Sequence, residues 1–188
     1  MISVIVPTHE SERLLVHTLA ALVPGALAGV VREVIVADAG SKDDTASVAD
    51  VAGCHFMELP GSVGARLAAA AAAARSDWFW FMQPGCVPEP GWIEATERFV
   101  RGDGVGQDTA AVLQLRPGRS GLAEAMALAA AALGARPVPR QGLLIARALY
   151  RSLGGHDAAS ADPQTALMRT LGRRRIVVLD AAMGWRGQ

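Results

Sequence analysis

Glu33-Val34-Ile35-Val36-Ala37-Asp38-Ala39-Gly40-Ser41-Lys42-Asp43-Asp44-Thr45 decides the architecture. A β-branched run predicts a strand over 33–37. Asp38, Gly40 and Ser41 break it, and Ser41 with the acids at 43 and 44 marks a helix start, where exposed amide ends favour negative charge. The same pattern precedes it. A strand over 2–6 stops at Pro7, and Leu14, Leu15, Leu19 and Leu22 give a helical spacing over 11–22. It also follows, with a helix to about 52, a strand over 55–59, a helix over 62–75 and a strand over 78–82. Strand and helix thus alternate three times, which predicts an α/β domain with a largely parallel sheet.

Beyond Met82 the pattern loosens. Gln83-Pro84-Gly85-Cys86 is a loop, and Pro88-Glu89-Pro90-Gly91 starts a helix running to about 100. A glycine-rich connector over 103–108, a strand over 110–115 and a helix over 121–133 come next. A strand or loop over 143–147, a short helix over 148–153 ended by Gly154-Gly155, a helix over 165–171 and a strand over 175–179 complete the chain. No repeat or linker divides it, so one domain over 1–188 is expected.

Composition narrows the function. A 51% hydrophobic fraction with 19% charge excludes disorder, and 188 residues give room for one core. Formal net charge is zero, which excludes bulk nucleic-acid binding. Residues 1–94 carry 11 acids and 5 bases, whereas residues 95–188 carry 7 acids and 13 bases, a basic half that suits a phosphate-bearing ligand. The apolar stretch over 122–133 contains Glu124 and is shorter than the roughly 20 residues a bilayer needs. The first residues lack a basic leader, and Cys54 and Cys86 form neither a disulfide framework nor a metal spacing. A soluble, cytoplasmic protein is expected. Transient contact with a membrane surface and the oligomeric state stay open.

In an open parallel sheet, ligands bind beyond the carboxyl ends of the strands. Four polar or glycine-bearing segments fall there: Pro7-Thr8-His9-Glu10, Asp38-Ala39-Gly40-Ser41, the loop over 61–66, and Gln83-Pro84-Gly85. Asp38 suits a ribose hydroxyl or a base N–H, with a helix cap as its alternative. Thr8 and His9 suit a base pocket or a plain polar turn, and Glu10 suits a cap or salt bridge. Gly61-Ser62-Val63-Gly64 with Arg66 can meet a phosphate through backbone amides and a guanidinium. Its spacing is neither Gly-x-Gly-x-x-Gly nor a Walker loop, which disfavours an NAD-type oxidoreductase. The alanines over 68–74 let a helix lie close to the sheet, and Trp78 to Phe81 alternate as core on both faces.

Ser3-Val-Ile-Val-Pro-Thr-His-Glu10, Glu33 to Thr45, Asp77-Trp-Phe-Trp-Phe81 and Pro90-Gly-Trp92 resemble family 2 glycosyltransferases of the GT-A fold. The likeness is nearest to the short bacterial arsenosugar-biosynthesis-type, or selenodomain-associated, group. Gln141-Gly-Leu-Leu-Ile-Ala-Arg147 and Leu153-Gly-Gly155 extend it. The resemblance implies a nucleotide-diphospho-sugar donor against residues 1–100 and an unknown acceptor against residues 101–188. It matches Thr8 and Asp38 to nucleotide contacts and places Arg66 by the donor loop. Pro7, His9, Glu10, Gly40, Ser41, Gln83, Gly85 and Arg140 complete the candidate donor site.

The departures are specific. Such families hold Mg²⁺ or Mn²⁺ with an Asp-x-Asp after the fourth strand, where this chain has Gln83-Pro84-Gly85. An Asp usual before Gln141-Gly142 is Arg140. The Glu-Asp pair that supplies the base falls where Asp162 is the lone acid. No metal site and no cofactor are therefore expected. Asp162, with His156 second, is the candidate base, and arginines replace the cation. Two readings follow: a metal-independent transferase, or a nucleotide-sugar binder that has lost the chemistry.

Overall fold

The computed structural model describes residues 1–102, 108–116 and 137–187. Strand β1 (Ile2–Thr8), helix α1 (Glu12–Leu27), β2 (Val31–Asp38), α2 (Thr45–Val51), β3 (His55–Glu58), α3 (Val63–Ala73) and β4 (Trp78–Phe81) alternate as the hydrophobic pattern predicts. They are followed by β5 (Cys86–Pro88), α4 (Trp92–Arg101), β6 (Ala110–Leu115), β7 (Leu143–Ala146), α5 (Arg147–Ser152), α6 (Pro163–Leu171) and β8 (Ile176–Trp185). The strands form one sheet in the order β3-β2-β1-β4-β7-β6-β8-β5. β1 to β4 are parallel, and β6 runs parallel to β8. β7 opposes β4 and β6, and β5 opposes β8. The result is a mostly parallel α/β sheet flanked by helices.

Side chains alternate across the sheet and build two cores. Val4, Val6, Val36 and Trp80 meet Leu15, Leu22, Trp92 and Phe99 from α1 and α4. Ile5, Ile35, Phe79 and Phe81 meet Leu67, Ala70, Leu149, Leu167 and Leu171 from α3, α5 and α6. The aromatic strand is therefore core on both faces: Trp80 tilts against Trp92 at 5.2 Å between centroids, and Phe79 and Phe81 pack on Tyr150. Ala70 and Ala71 are buried beneath α3, where small side chains allow close approach.

Several boundaries differ from the sequence expectation, and β1 runs through Pro7 to Thr8 instead of stopping at it. α1 continues to Leu27 and carries Pro24 within its last turns. α2 starts at Thr45 instead of Ser41: Ser41 accepts from Glu10 N–H across the loop, while Asp43 accepts both from Glu12 N–H and, at the helix start, from Thr45 N–H. The loop at Cys86 is strand β5, and β8 reaches Trp185 instead of ending at 179, because Cys86 to Pro88 pair with Trp185 to Met183. That pairing supplies an order that Ala181-Ala182-Met183-Gly184 lacks on its own. The helix expected over 121–133 and most of the connector over 103–108 lie outside the described residues.

Candidate functional site

The ends of β1 and β2 lie side by side, with Thr8 opposite Asp38. Asp38 is 1% exposed. Its Oδ1 accepts from Thr8 Oγ1 at 2.7 Å and Ser41 Oγ at 2.6 Å. Its Oδ2 accepts from the N–H groups of Gly40 at 2.7 Å and Ser41 at 2.6 Å. Gly40 reaches this turn with φ of 85°, a left-handed conformation that favours glycine. Burial alone would raise the carboxyl pKa, but the bonds from Ser41, Thr8 and Gly40 outweigh it and hold Asp38 below the ordinary aspartate range. A buried, ionised aspartate therefore fixes the turn after β2.

The loop after β1 is tied to that turn. Glu10 N–H donates to Ser41 Oγ at 2.8 Å, and Glu10 Oε1 accepts from Lys42 N–H at 2.6 Å. Ser11 N–H reaches Thr45 Oγ1 at 3.1 Å, and Glu12 N–H reaches Asp43 Oδ2 at 3.0 Å. Pro7, Thr8, Glu10, Gly40 and Ser41 thus join Asp38 in one rim, with the His9 side chain exposed on it. The Asp38 and Thr8 side chains are turned toward each other, so their direct work is to shape the rim.

The loop before α3 forms a second wall. Ser62 caps α3 by accepting from Ala65 N–H at 3.2 Å, and donates to the Ala158 carbonyl at 2.6 Å. A Cβ on Gly64 would overlap the Asp157 carbonyl, so glycine lets α3 start against the segment after Gly154-Gly155. Arg66, one turn in, is 6% exposed. Its Nη1 donates to the Gly61 carbonyl at 3.0 Å, while its Nε is buried without a hydrogen-bond partner. Among the described residues no carboxylate pairs with it. A buried cation without a counter-charge is costly by several kcal/mol.

At the end of β4, Gly85 turns with φ of 91°. Its N–H reaches Thr18 Oγ1 at 2.9 Å, and its carbonyl accepts from Arg186 N–H at 2.9 Å. The Cys86 thiol donates to the Arg140 carbonyl at 3.4 Å, and burial pushes that thiol up to about 11, so it stays neutral. The Arg140 guanidinium lies 4.4 Å over the Trp185 ring. The loop that contains Gln83 and Gly85 therefore faces an arginine. An amide, a neutral thiol and a guanidinium do not fit a hard divalent cation, which wants carboxylate oxygens. Among the described residues no group of three His, Cys, Asp or Glu side chains could hold a metal ion.

His156 is 5% exposed and packs edge-on to Phe81 at 4.5 Å between centroids. Its backbone N–H donates to Tyr150 Oη at 3.1 Å, and Tyr150 Oη lies 3.0 Å from His156 Nδ1. The imidazole Nε2 is buried without a hydrogen-bond partner among the described residues. Burial lowers the His156 pKa to about 4. At neutral pH His156 is therefore an uncharged imidazole. Its preference for the neutral form stabilises the fold fully above about pH 6.5 and is lost as pH falls toward 4. Imidazole NMR titration should show His156 neutral at pH 5.5, when an exposed histidine is mostly protonated. A midpoint near 6.5 would remove this assignment.

Asp162 caps α6, accepting from Thr165 N–H at 3.2 Å through Oδ1, and is exposed. Its second oxygen makes no hydrogen bond to the described residues. Arg173 to Arg175 form a turn before β8, with Arg175 Nε on the Asp108 carbonyl at 2.7 Å. Tyr150 and Trp185 were not legible as site residues. Each acts through a partner distant in sequence or through a turn that only the fold creates, and neither belongs to a local motif.

Sheet order, helix layers and a rim at the strand ends define the GT-A class of nucleotide-diphospho-sugar transferase fold. Residues 3–114 match the family model described as glycosyl transferase family 2, and the chain belongs to that family. It is similar to glucosyl-3-phosphoglycerate synthase from Mycobacterium tuberculosis solved with Mg²⁺ and uridine diphosphate, at 23% identity and a TM-score of 0.73, over 100% of this chain and 72% of that one. The same enzyme with Mn²⁺, UDP-glucose and phosphoglyceric acid gives 24% and 0.70 over the same shares. A structure described as a mycobacterial protein gives 25% and 0.73, over 100% and 68%. No curated protein matches the chain significantly. Among the described residues no helix is long and apolar enough to cross a membrane.

Proposed function

We propose that this glycosyltransferase uses a nucleoside diphosphate sugar and holds the diphosphate with arginine instead of a divalent cation. The buried Arg66 guanidinium carries the reading, since an anionic ligand supplies the counter-charge that the described residues do not. Arg140, stacked on Trp185 beside Gln83-Pro84-Gly85, takes the place of the degenerate Asp-x-Asp. Residues 1–100 form the nucleotide side, with Pro7, Thr8, His9, Glu10, Asp38, Gly40 and Ser41 as its rim. Residues 101–188 form the acceptor side. The solved synthase was crystallised with phosphoglyceric acid; the acceptor here is left as a hydroxyl-bearing molecule. The motifs keep the nearest likeness with the arsenosugar-biosynthesis-type group and a cytoplasmic enzyme without nucleic-acid partners.

The chemistry needs a base for the acceptor hydroxyl and charge stabilisation for the departing diphosphate. The free oxygen of Asp162 takes the proton, while Arg66 and Arg140 neutralise the diphosphate. His156, an uncharged imidazole at neutral pH, is the second candidate base. With chelator present, a nucleoside diphosphate at a hundred times its Kd should stabilise the fold by about 2.7 kcal/mol, about 5–10 °C in Tm. Transfer across a donor and acceptor panel should survive the same chelator. Asp162→Asn keeps the thermal shift and cuts transfer by about 100-fold or more. Absence of any shift without metal would overturn the arginine reading.

A second reading rests on the capping bond of Asp162, which ties up one oxygen of the first base candidate. In it the chain binds the nucleotide and transfers nothing. A shift without turnover on any donor would select it.

A further inference from the structure

At the opposite end of the sheet, where β2 and β4 begin and β7 ends, lies a cavity of about 650 Å³. Arg32, Arg75, Arg147 and Arg151 line it, together with Trp78 and Val100. Its volume is that of a small-molecule site. The strand directions place it at the amino ends of β2 and β4, whereas the nucleotide rim lies at their carboxyl ends.

Charge is unbalanced there. Arg75 is paired with Glu33, with Nε on Oε2 at 2.8 Å. Among the described residues no carboxylate pairs with Arg32, Arg147 or Arg151, and the acid in the lining, Asp77, is exposed. Arg147 is prepositioned: Nε donates to the Ser76 carbonyl at 3.0 Å, Nη2 donates to the Ala74 and Ser76 carbonyls, and the guanidinium lies 4.9 Å over the Phe79 ring. Those bonds fix its plane and leave Nη1 outside the clamp. The Ser76 side chain, in a residue only 4% exposed that lines the same cavity, has a buried hydroxyl without a partner.

We infer that this cavity is a second anion site, separate from the donor site, for a compact phosphate-bearing ligand. Planar guanidinia around a concave surface match phosphate oxygens, and a prepositioned Arg147 loses little freedom on binding. Trp78 and Val100 give an apolar wall to the remainder of the ligand. Arg32 and Arg151, both exposed, supply the remaining charge from β2 and α5.

Trp78 makes the site directly observable. Indole N–H resonances of the full chain, assigned with Trp78→Phe, are followed during titration with pyrophosphate at constant ionic strength. A saturating nucleoside diphosphate is present to fill the donor site. The Trp78 signal should move along a saturable curve, and Arg32→Gln/Arg151→Gln should weaken that binding by about tenfold while the nucleotide response of Trp185 is unchanged. In a parallel arm the chain is sedimented with phosphatidylcholine vesicles containing about 30% phosphatidylglycerol. Co-sedimentation lost in the double variant identifies a lipid phosphate as the source. Saturable pyrophosphate binding without co-sedimentation identifies a free anion. A Trp78 signal that does not saturate, or that saturates equally in the double variant, overturns the site.

Discussion

Asp38→Ala is expected to lower stability by about 3 kcal/mol, near 8 °C in Tm, and to abolish stabilisation by nucleotide. Four donors meet this carboxylate, so the substitution leaves the buried Thr8 hydroxyl and the Gly40 and Ser41 N–H groups without their acceptor. Single charge-assisted bonds contribute about 1.5–3 kcal/mol, but the partly exposed donors turn to water, so the sum falls below four times that value. Asp38→Asn should cost about 1 kcal/mol. Its oxygen can face the two N–H groups, while the Thr8 and Ser41 hydroxyls rotate to accept from its amide. The pH dependence has a fixed sign. Because the folded pKa lies below the unfolded one, the Asp38 contribution is complete above about pH 4 and is lost as pH falls below that. Urea unfolding at pH 7 and pH 3 checks both points. Wild-type stability in the alanine variant would show that the turn does not depend on its carboxylate.

The same turn shows what the sequence makes legible. Val34 to Val36 announce a buried strand by composition, and Asp38-Ala39-Gly40-Ser41 announces a turn, because both signals are local. Only part of what Asp38 does in the turn is local. Its bonds from the Gly40 and Ser41 N–H groups are cap-like and local, whereas its bond from Thr8 crosses to the neighbouring strand, a contact that β1 and β2 create only by pairing. Ser41 and Asp43 carry the composition of a helix start, yet Ser41 turns to Glu10 and Asp38, and Asp43 serves Glu12 as well as Thr45, where α2 starts. The strand assignments around Trp78 to Phe81 follow from alternation. By contrast, β5 and the far end of β8 exist through pairing with each other and, for β8, with β6, and leave no periodic trace. At His156 the residue was visible and its chemistry was not. Its burial, which lowers its proton affinity, comes from packing against Tyr150 and Phe81, which reach it through the fold.

Arg66→Met is expected to move stability and binding in opposite directions. Without ligand, the variant should be about 1–3 kcal/mol more stable than the wild type, because it removes a buried guanidinium and fills the space with an apolar chain of similar length. The bond from Nη1 to the Gly61 carbonyl is lost, at about 1 kcal/mol, which is smaller than the desolvation it offsets. Nucleoside diphosphate binding should weaken by about 100-fold, near 2.7 kcal/mol, because the counter-charge for the diphosphate is gone. Arg66→Lys keeps the charge but not the planar fork and should fall between them in affinity. Calorimetry and thermal unfolding with and without nucleotide measure both terms on the same protein. A residue that serves packing alone gives a different pair of results: Arg66→Met would destabilise the free chain, as most core substitutions do, and leave the affinity unchanged. A gain in free stability together with a loss of affinity has no such explanation. It would mean that the fold tolerates a destabilising cation at α3 because the bound diphosphate neutralises it.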